Sequence, residues 1–148
     1  MGTGWYPISS TVLRFSGKAR SRFRSTAIQV DGQPITGVTG NTAMIQSRFG
    51  RQGNFEMLVP AGGQLVHFFR ANDEPGFPWH RAPELPGSAN ALGAALIESN
   101  FGGPGNLEVV ARLGDGLVSY FFDGTELQWR GPFPIQVDGQ SITGVTGF

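Results

Sequence analysis

Hydrophobic and polar residues alternate along the chain, with a period of two, between residues 43 and 133. In NFEMLV, residues 54–59, the side chains of Phe55, Met57 and Val59 share one face of an extended chain. QLVHFFRA and GLVSYFFD are rich in β-branched and aromatic residues and are bounded by glycines, which is typical of central strands. No window has convincing helical spacing. The pattern therefore predicts an all-β fold.

Eight short strands are predicted, in two groups of four. The connections FGRQGN, PAGGQ and LGDG contain glycines that allow the positive φ of tight hairpins. SANALGAALIES begins with a plausible helix cap, Ser88, but contains Gly93, so we interpret it as a loop leading into a strand. The predicted strands are residues 43–48, 53–59, 64–71 and 78–85, then 94–100, 105–112, 116–123 and 126–133.

The two groups are copies of one another, 52 residues apart. Residues 44–70 and 96–122 align without a gap, and Glu56 matches Glu108. Four antiparallel strands recurring at about fifty residues are typical of a β-propeller blade. A sandwich of two hairpin sheets is the main rival, but it would not require the same sequence to return at the same turns. From the alignment, Phe49 and Phe101 are expected in equivalent buried sites.

A second repeat flanks the two blades. IQVDGQPITGVTG at residues 28–40 and IQVDGQSITGVTG at residues 135–147 differ only in Pro34 and Ser141. Because two blades cannot close a ring, we expect a cyclic homo-oligomer, with a trimer as first choice and a dimer of about three blades per chain as second. The predicted divisions are a partial or diverged blade at 1–40, a blade at 41–87, and a blade plus lead-in to the next at 88–148.

Charge and composition narrow the class of protein. The 11 basic and 11 acidic residues cancel, which argues against nucleic acid as a partner. The basic run at residues 14–24 is interpreted as a solvated face. No run approaches the roughly 18 apolar residues of a membrane span, so we expect a soluble protein. Without cysteine the compartment is left open, with an extracellular location preferred.

Residues that could ligate a metal lack the spacing that a metal site needs. NDEPG at residues 72–76 and the VDGQ turns at Asp31 and Asp138 offer oxygen ligands. A calcium loop requires several oxygens at alternate positions and a bidentate acid, which these segments do not have. We therefore interpret them as turns and predict no metal and no cofactor.

Catalytic residues are equally hard to assemble. His67 and His80 are the only imidazoles, and neither belongs to a G-x-S-x-G or H-E-x-x-H motif. Glu56 and Glu108 occupy identical places in the two copies, so a recurrent structural hydrogen bond explains them better than a glycosidase acid pair. The chain is predicted not to be an enzyme.

The pattern IQSxFGxxGNFExxVPxGGxLxHFxRxND…PWH, over residues 43–83 and less faithfully 94–132, resembles repeats of bacterial and fungal propeller proteins. These include the propeller lectins of the Photorhabdus and Psathyrella type. The resemblance implies a propeller scaffold with sugar sites between adjacent blades. Residues 1–40 depart from the pattern, since they lack the glycine landmarks of a blade.

Aromatic and polar residues beside one another are candidates for sugar binding. An aromatic face can cover the C–H surface of a sugar while amides, carboxylates and arginines bind its hydroxyls. The tryptophans could instead pack between blades. The predicted function is lectin-like glycan recognition; the alternative is a structural or oligomerisation module without a small ligand, natural or engineered. The candidate binding residues are Trp79, His80, Arg81, Trp129, Arg130, Asn72, Asp73 and Glu74.

Overall fold

A computed structural model describes residues 27–147, and no helix forms in that part of the chain. The all-β prediction is confirmed. The predicted partial blade at 1–40 and the basic run at 14–24 lie wholly or largely outside the described residues. The strands are β1 (Gln29–Val30), β2 (Gln33–Pro34), β3 (Ala43–Gln46), β4 (Phe55–Ala61), β5 (Gln64–Arg70), β6 (Trp79–Arg81), β7 (Ala91–Glu98), β8 (Leu107–Leu113), β9 (Gly116–Asp123), β10 (Gln128–Pro134), β11 (Gln136–Val137) and β12 (Gln140–Ser141).

The strands form two larger sheets and one hairpin. In the first sheet β3, β4, β5 and β6 are antiparallel neighbours in chain order, and the β1–β2 hairpin extends the β6 edge. There β1 runs parallel to β6, with Val30 opposite Trp79. The second sheet contains β7, β8, β9 and β10 in chain order, and β11 pairs only with β12. Neither sheet closes on itself within residues 27–147.

All eight predicted strands are present, with shifted ends. The largest difference is in β6, which covers only three of the residues predicted at 78–85. Pro83 and Pro86 lack the backbone N–H that a strand interior uses, so regular pairing stops before them. The stretch from Ser88 is a loop followed by a strand, as predicted.

The main core lies between the two sheets. We call the side of the first sheet that carries Leu58 and Leu65 its back face; both side chains are fully buried. This face packs on the front face of the second sheet, which carries Leu107, Val109 and Phe122. Strand β7 crosses against β3, β4 and β5. At about 25 cal/mol per Å² of apolar surface, this contact is the largest source of stability in the described residues.

A smaller cluster covers the opposite, front face of the first sheet. Its buried members are Met57, Val59, Val66 and Phe68, which follow from the period-two alternation of β4 and β5. Val30, Ile35 and Trp79 pack against them. The β1–β2 hairpin is therefore fixed to the front face by apolar contacts as well as by its pairing with β6.

The prediction that Phe49 and Phe101 occupy equivalent buried sites is wrong for Phe101. Phe49 packs into the core between the sheets, with its ring 6.1 Å from that of Phe122. Phe101 is 73% exposed because no described residue covers the back face of the second sheet. The alignment placed both side chains on the same face, but only the first sheet has a neighbour there.

Candidate functional site

The β1–β2 hairpin forms one wall of a groove on the first sheet. Its turn places Asp31 at φ 51° and Gly32 at φ 78°, the left-handed geometry that Asp-Gly supplies in two-residue hairpin turns. The N–H of Ile35 donates to the carbonyl of Ile28 at 3.2 Å, which closes the hairpin. Further along, the N–H of Thr39 donates to the carbonyl of Pro60 at 2.9 Å and holds the segment against the first sheet.

The groove between this hairpin and the front face of the first sheet encloses about 530 Å³. Its apolar lining comes from the exposed Pro34 and the half-buried Val30 and Ile35, above the buried Val66 and Phe68 of β5. This volume lies within the roughly 300–1,000 Å³ of small-molecule sites. Six polar or charged side chains also line it: Asp31, Gln33, Thr36, Gln64, Arg81 and Glu84.

Arg81 and Glu84 are paired inside the groove. The guanidinium of Arg81 donates from Nη2 to Oε1 of Glu84, and both side chains stay about half exposed. The carboxylate holds the guanidinium in place, and further N–H donors remain for another acceptor. The groove thus offers donors from Arg81 and acceptors from Glu84 and Asp31.

Two other predicted site residues, Trp79 and His80, belong to β6, and a third, Glu74, lies in the loop before it. Trp79 is half-buried against the front-face cluster. The His80 ring is tilted over Phe69 with centroids 5.1 Å apart, and its Nε2 lies 3.4 Å from Oε2 of Glu74. None of the three lines the groove, since only Arg81 among the predicted residues does so.

Asn72 and Asp73 stabilise neighbouring loops. Asn72 is buried, donates to the carbonyl of Gly53 and accepts from Nε of Arg70 at 2.8 Å. Asp73 accepts from the N–H groups of Arg51 and Gln52. Both residues thus make their hydrogen bonds within the protein, and neither lines the groove.

Trp129 and Arg130 do not form a second copy of the site. Trp129 is 6% exposed and packs in the core between the sheets, which agrees with the packing alternative. Arg130 is exposed and paired with Glu126. The N–H groups of Glu126 and Thr125 donate to Asp123 and lower the pKa of that carboxyl.

A buried polar chain lies on the back face of the first sheet. Ser47 Oγ donates to Oε1 of Glu56 at 2.8 Å, and Oε2 of Glu56 lies 2.8 Å from Nε2 of His67. All three residues are at most 3% exposed. In a nucleophilic triad the imidazole lies between the hydroxyl and the carboxylate, whereas here the carboxylate is central. The hydrogen-bonded residues Ser47, Glu56 and His67 therefore form a structural network.

The same hydrogen bond recurs in the second sheet, as predicted. Ser99 Oγ lies 3.0 Å from Oε1 of Glu108, 52 residues after its counterpart. Ser119 stands where the first sheet has His67, so the second network has no imidazole. The prediction that Glu56 and Glu108 make a recurrent hydrogen bond is confirmed.

Comparisons with family models, with curated proteins and with solved structures found no match. Among residues 27–147, no group of three or more His, Asp or Glu side chains could hold a metal ion. The same part of the chain contains no helix that could cross a membrane. The site is therefore interpreted from its own geometry.

Sequence analysis missed most residues of the groove. Asp31 and Gln33 stood out only as part of a repeated turn, and Gln64 and Glu84 carried no signal. They come together because β1 pairs in parallel with β6, a contact between segments about fifty residues apart in the chain. No local pattern specifies such a pairing.

Proposed function

We propose that this chain is a non-enzymatic, lectin-like module in which the two sheets are adjacent propeller blades. The 52-residue repeat and the stacking of one sheet on the next support the blade interpretation. In a ring, three such chains would supply about six blades, within the range of known propellers.

The groove on the front face of the first sheet is the proposed glycan site. The observation that carries this assignment is the combination of an apolar lining, from Val30, Pro34 and Ile35, with the charged pair Arg81–Glu84. A sugar presents C–H faces and a ring of hydroxyls, and these match the two kinds of surface. The affinity of a single open groove is expected to be weak, with tight binding arising from several sites in an assembly.

A glycan array followed by calorimetry tests the site. Arg81→Ala is expected to weaken binding of an enriched glycan about tenfold or more, because a charged hydrogen bond contributes about 1.5–3 kcal/mol. Its melting temperature should hardly change, since an exposed ion pair contributes little to stability.

Arg130→Ala is the matched control, because Arg130 forms a similar exposed pair with Glu126 but lies outside the groove. It should bind as the wild type does. Equal losses in both variants, or none in Arg81→Ala, would place the site elsewhere.

The second candidate function is a structural or oligomerisation module without a small ligand. The exposed apolar back face of the second sheet favours it, since Ile97 and Phe101 are 60% and 73% exposed. An array with no enriched glycan at high protein concentration, together with a stable assembly, would select this function over the first.

A further inference from the structure

The back face of the second sheet carries an apolar surface that no described residue covers. Ile97 and Phe101 are exposed on it, and Val110 and Leu117 are half-buried. A shallow depression of about 210 Å³ is lined by Ile97 and Val110 of this surface and bordered by Glu108 and Ser119. Exposed apolar patches of this kind commonly mark interaction surfaces.

The repeat shows what the same surface does in the first sheet. Ile45, Phe49, Leu58 and Leu65 stand 52 residues before these four and pack in the core between the sheets. Leu58 and Leu65 are fully buried there. The partner that covers them is the front face of a neighbouring four-stranded sheet, so the matching surface of the second sheet has the shape to receive a front face too.

The front face of the first sheet is the complementary surface within this chain. Met44 on it is 58% exposed, whereas its counterpart Leu96 is 6% exposed between the sheets. Met57, Val59 and Phe68 on the same face are already buried, so each chain presents one uncovered back face and a free strip of front face along β3. Such a pair makes head-to-tail contacts between copies.

Polar groups at the rim agree with this pairing. Inside the chain, the N–H of Arg48 donates to Oε1 of Glu98 at 2.8 Å, and Arg48 Nε lies 3.3 Å from Oε2. The counterparts of Arg48 and Glu98 are Asn100 and Gln46, two exposed neutral amides. Contact between copies would thus bring amide to amide and leave no charge unpaired, which avoids a large desolvation cost.

We propose that the back face of the second sheet docks onto the front face of the first sheet of a second copy of this chain. The internal contact between the two sheets is the template for this interface. The docking strip along β3 lies apart from the glycan groove, which is lined by β5, β6 and the β1–β2 hairpin, so the two proposals are tested separately.

Sedimentation equilibrium on the chain tests the interface. At about 10–200 µM, the wild type should exceed the 15.8 kDa of one chain. Ile97→Asp with Phe101→Asp should weaken association at least tenfold, a loss of about 1.4 kcal/mol. Leu127→Asp, at another exposed apolar residue in the β9–β10 turn, is the control for an added negative charge elsewhere on the surface and should associate like the wild type. A monomeric wild type, or unchanged association of the double variant, would overturn the proposal.

A double substitution that should strengthen association tests the register in which the two faces meet. Asn100→Arg with Gln46→Glu rebuilds between copies the pair that Arg48 and Glu98 form within one. Association should strengthen about fivefold at low salt and lose this gain at high salt, as exposed ion pairs do. Unchanged or weakened association at low salt would show that the two faces do not meet in this register.

Cross-linking tests the direction of docking. The chain has no cysteine, so disulfides can form only at introduced sites. Mixing Gln46→Cys chains with Asn100→Cys chains should give linked pairs that neither variant gives alone. Equal linkage in the separate variants would contradict head-to-tail docking.

Discussion

Single buried residues show how the two sheets depend on each other. His67 belongs to the first sheet, yet its ring lies 5.6 Å from Phe122 and 5.5 Å from Trp129 of the second, in edge-on contacts. Glu56 holds this ring by its Nε2. The aromatic contacts between the sheets are therefore oriented by a carboxylate that is itself buried.

Removal of the Glu56 carboxylate is expected to destabilise the protein strongly. Glu56→Ala removes the carboxylate that Ser47 and His67 contact in a buried interface. The free energy of unfolding should fall by about 3 kcal/mol. Glu108→Ala removes the equivalent group from a half-buried position and should cost less than about 1 kcal/mol. Urea titration of both variants measures the difference. Equal losses would show that burial does not distinguish the two networks.

The raised pKa of Tyr120 predicts that the protein loses stability in alkaline solution. Burial raises the pKa of Tyr120 to about 12, above the unfolded value of about 10. The folded state holds the phenolic proton more tightly, so this contribution is complete below about pH 10 and disappears as the pH rises to about 12.

Tyr120→Phe should remove this part of the pH dependence. The hydroxyl is buried and has no hydrogen-bond partner among the described residues, so stability at pH 7 should stay constant or rise by up to about 1 kcal/mol. Urea titrations at about pH 7 and 11 compare the two proteins. A variant that loses as much stability as the wild type between these pH values would exclude Tyr120 as the cause.

Among the elements, the two thirteen-residue repeats are one local structure in two settings. Both turns have nearly the same φ values, 51° and 78° at Asp31 and Gly32 and 51° and 77° at Asp138 and Gly139. The first hairpin packs on the front face of the first sheet. The second is hydrogen-bonded to Leu117 of the second sheet instead.

The positive φ of Gly32 in the hairpin turn predicts that a small side chain at this position lowers the free energy of unfolding measurably. Gly32→Ala should lose about 1–2 kcal/mol, because an L-residue is strained at this positive φ. Gly103→Ala is the matched control, since its φ is ordinary and no atom lies within 4 Å of the added Cβ. Urea titration measures both. A loss in Gly103→Ala as large as in Gly32→Ala would mean that φ is not the cause.

Sequence periodicity was enough to predict the eight strands of the two sheets, and the repeat was enough to predict a recurrent hydrogen bond of Glu56 and Glu108, although not its serine partners. These features depend on local alternation and on positions that recur. The groove could not be predicted, because it arises where a two-residue strand joins the edge of β6 in parallel. Phe49 packs in the core and Phe101 is exposed because only the first sheet has a neighbouring sheet on that face. The sequence of neither unit indicates which sheet has a neighbour.

At the scale of the whole molecule, stability is divided unequally between two kinds of contact. The contact between the sheets joins apolar faces and a charged rim in one chain, and it forms without loss of translational freedom. The proposed contact between chains has a neutral rim and must overcome the entropy of association. Dilution should therefore separate chains before it disturbs the contact between the two sheets.

The near-identity of the two hairpins has a consequence for how the chain folds. Residues 135–147 carry the same apolar side chains that residues 28–40 place on the front face of the first sheet, tethered within the same molecule at high effective concentration. We therefore expect the two segments to compete for one surface during folding. Pro34 in place of Ser141 is their sole covalent difference; it fixes φ in the first segment and lowers the entropy lost when that segment binds. One proline thus biases the competition towards the correct hairpin, and Pro34→Ser is expected to slow refolding through misplaced hairpins.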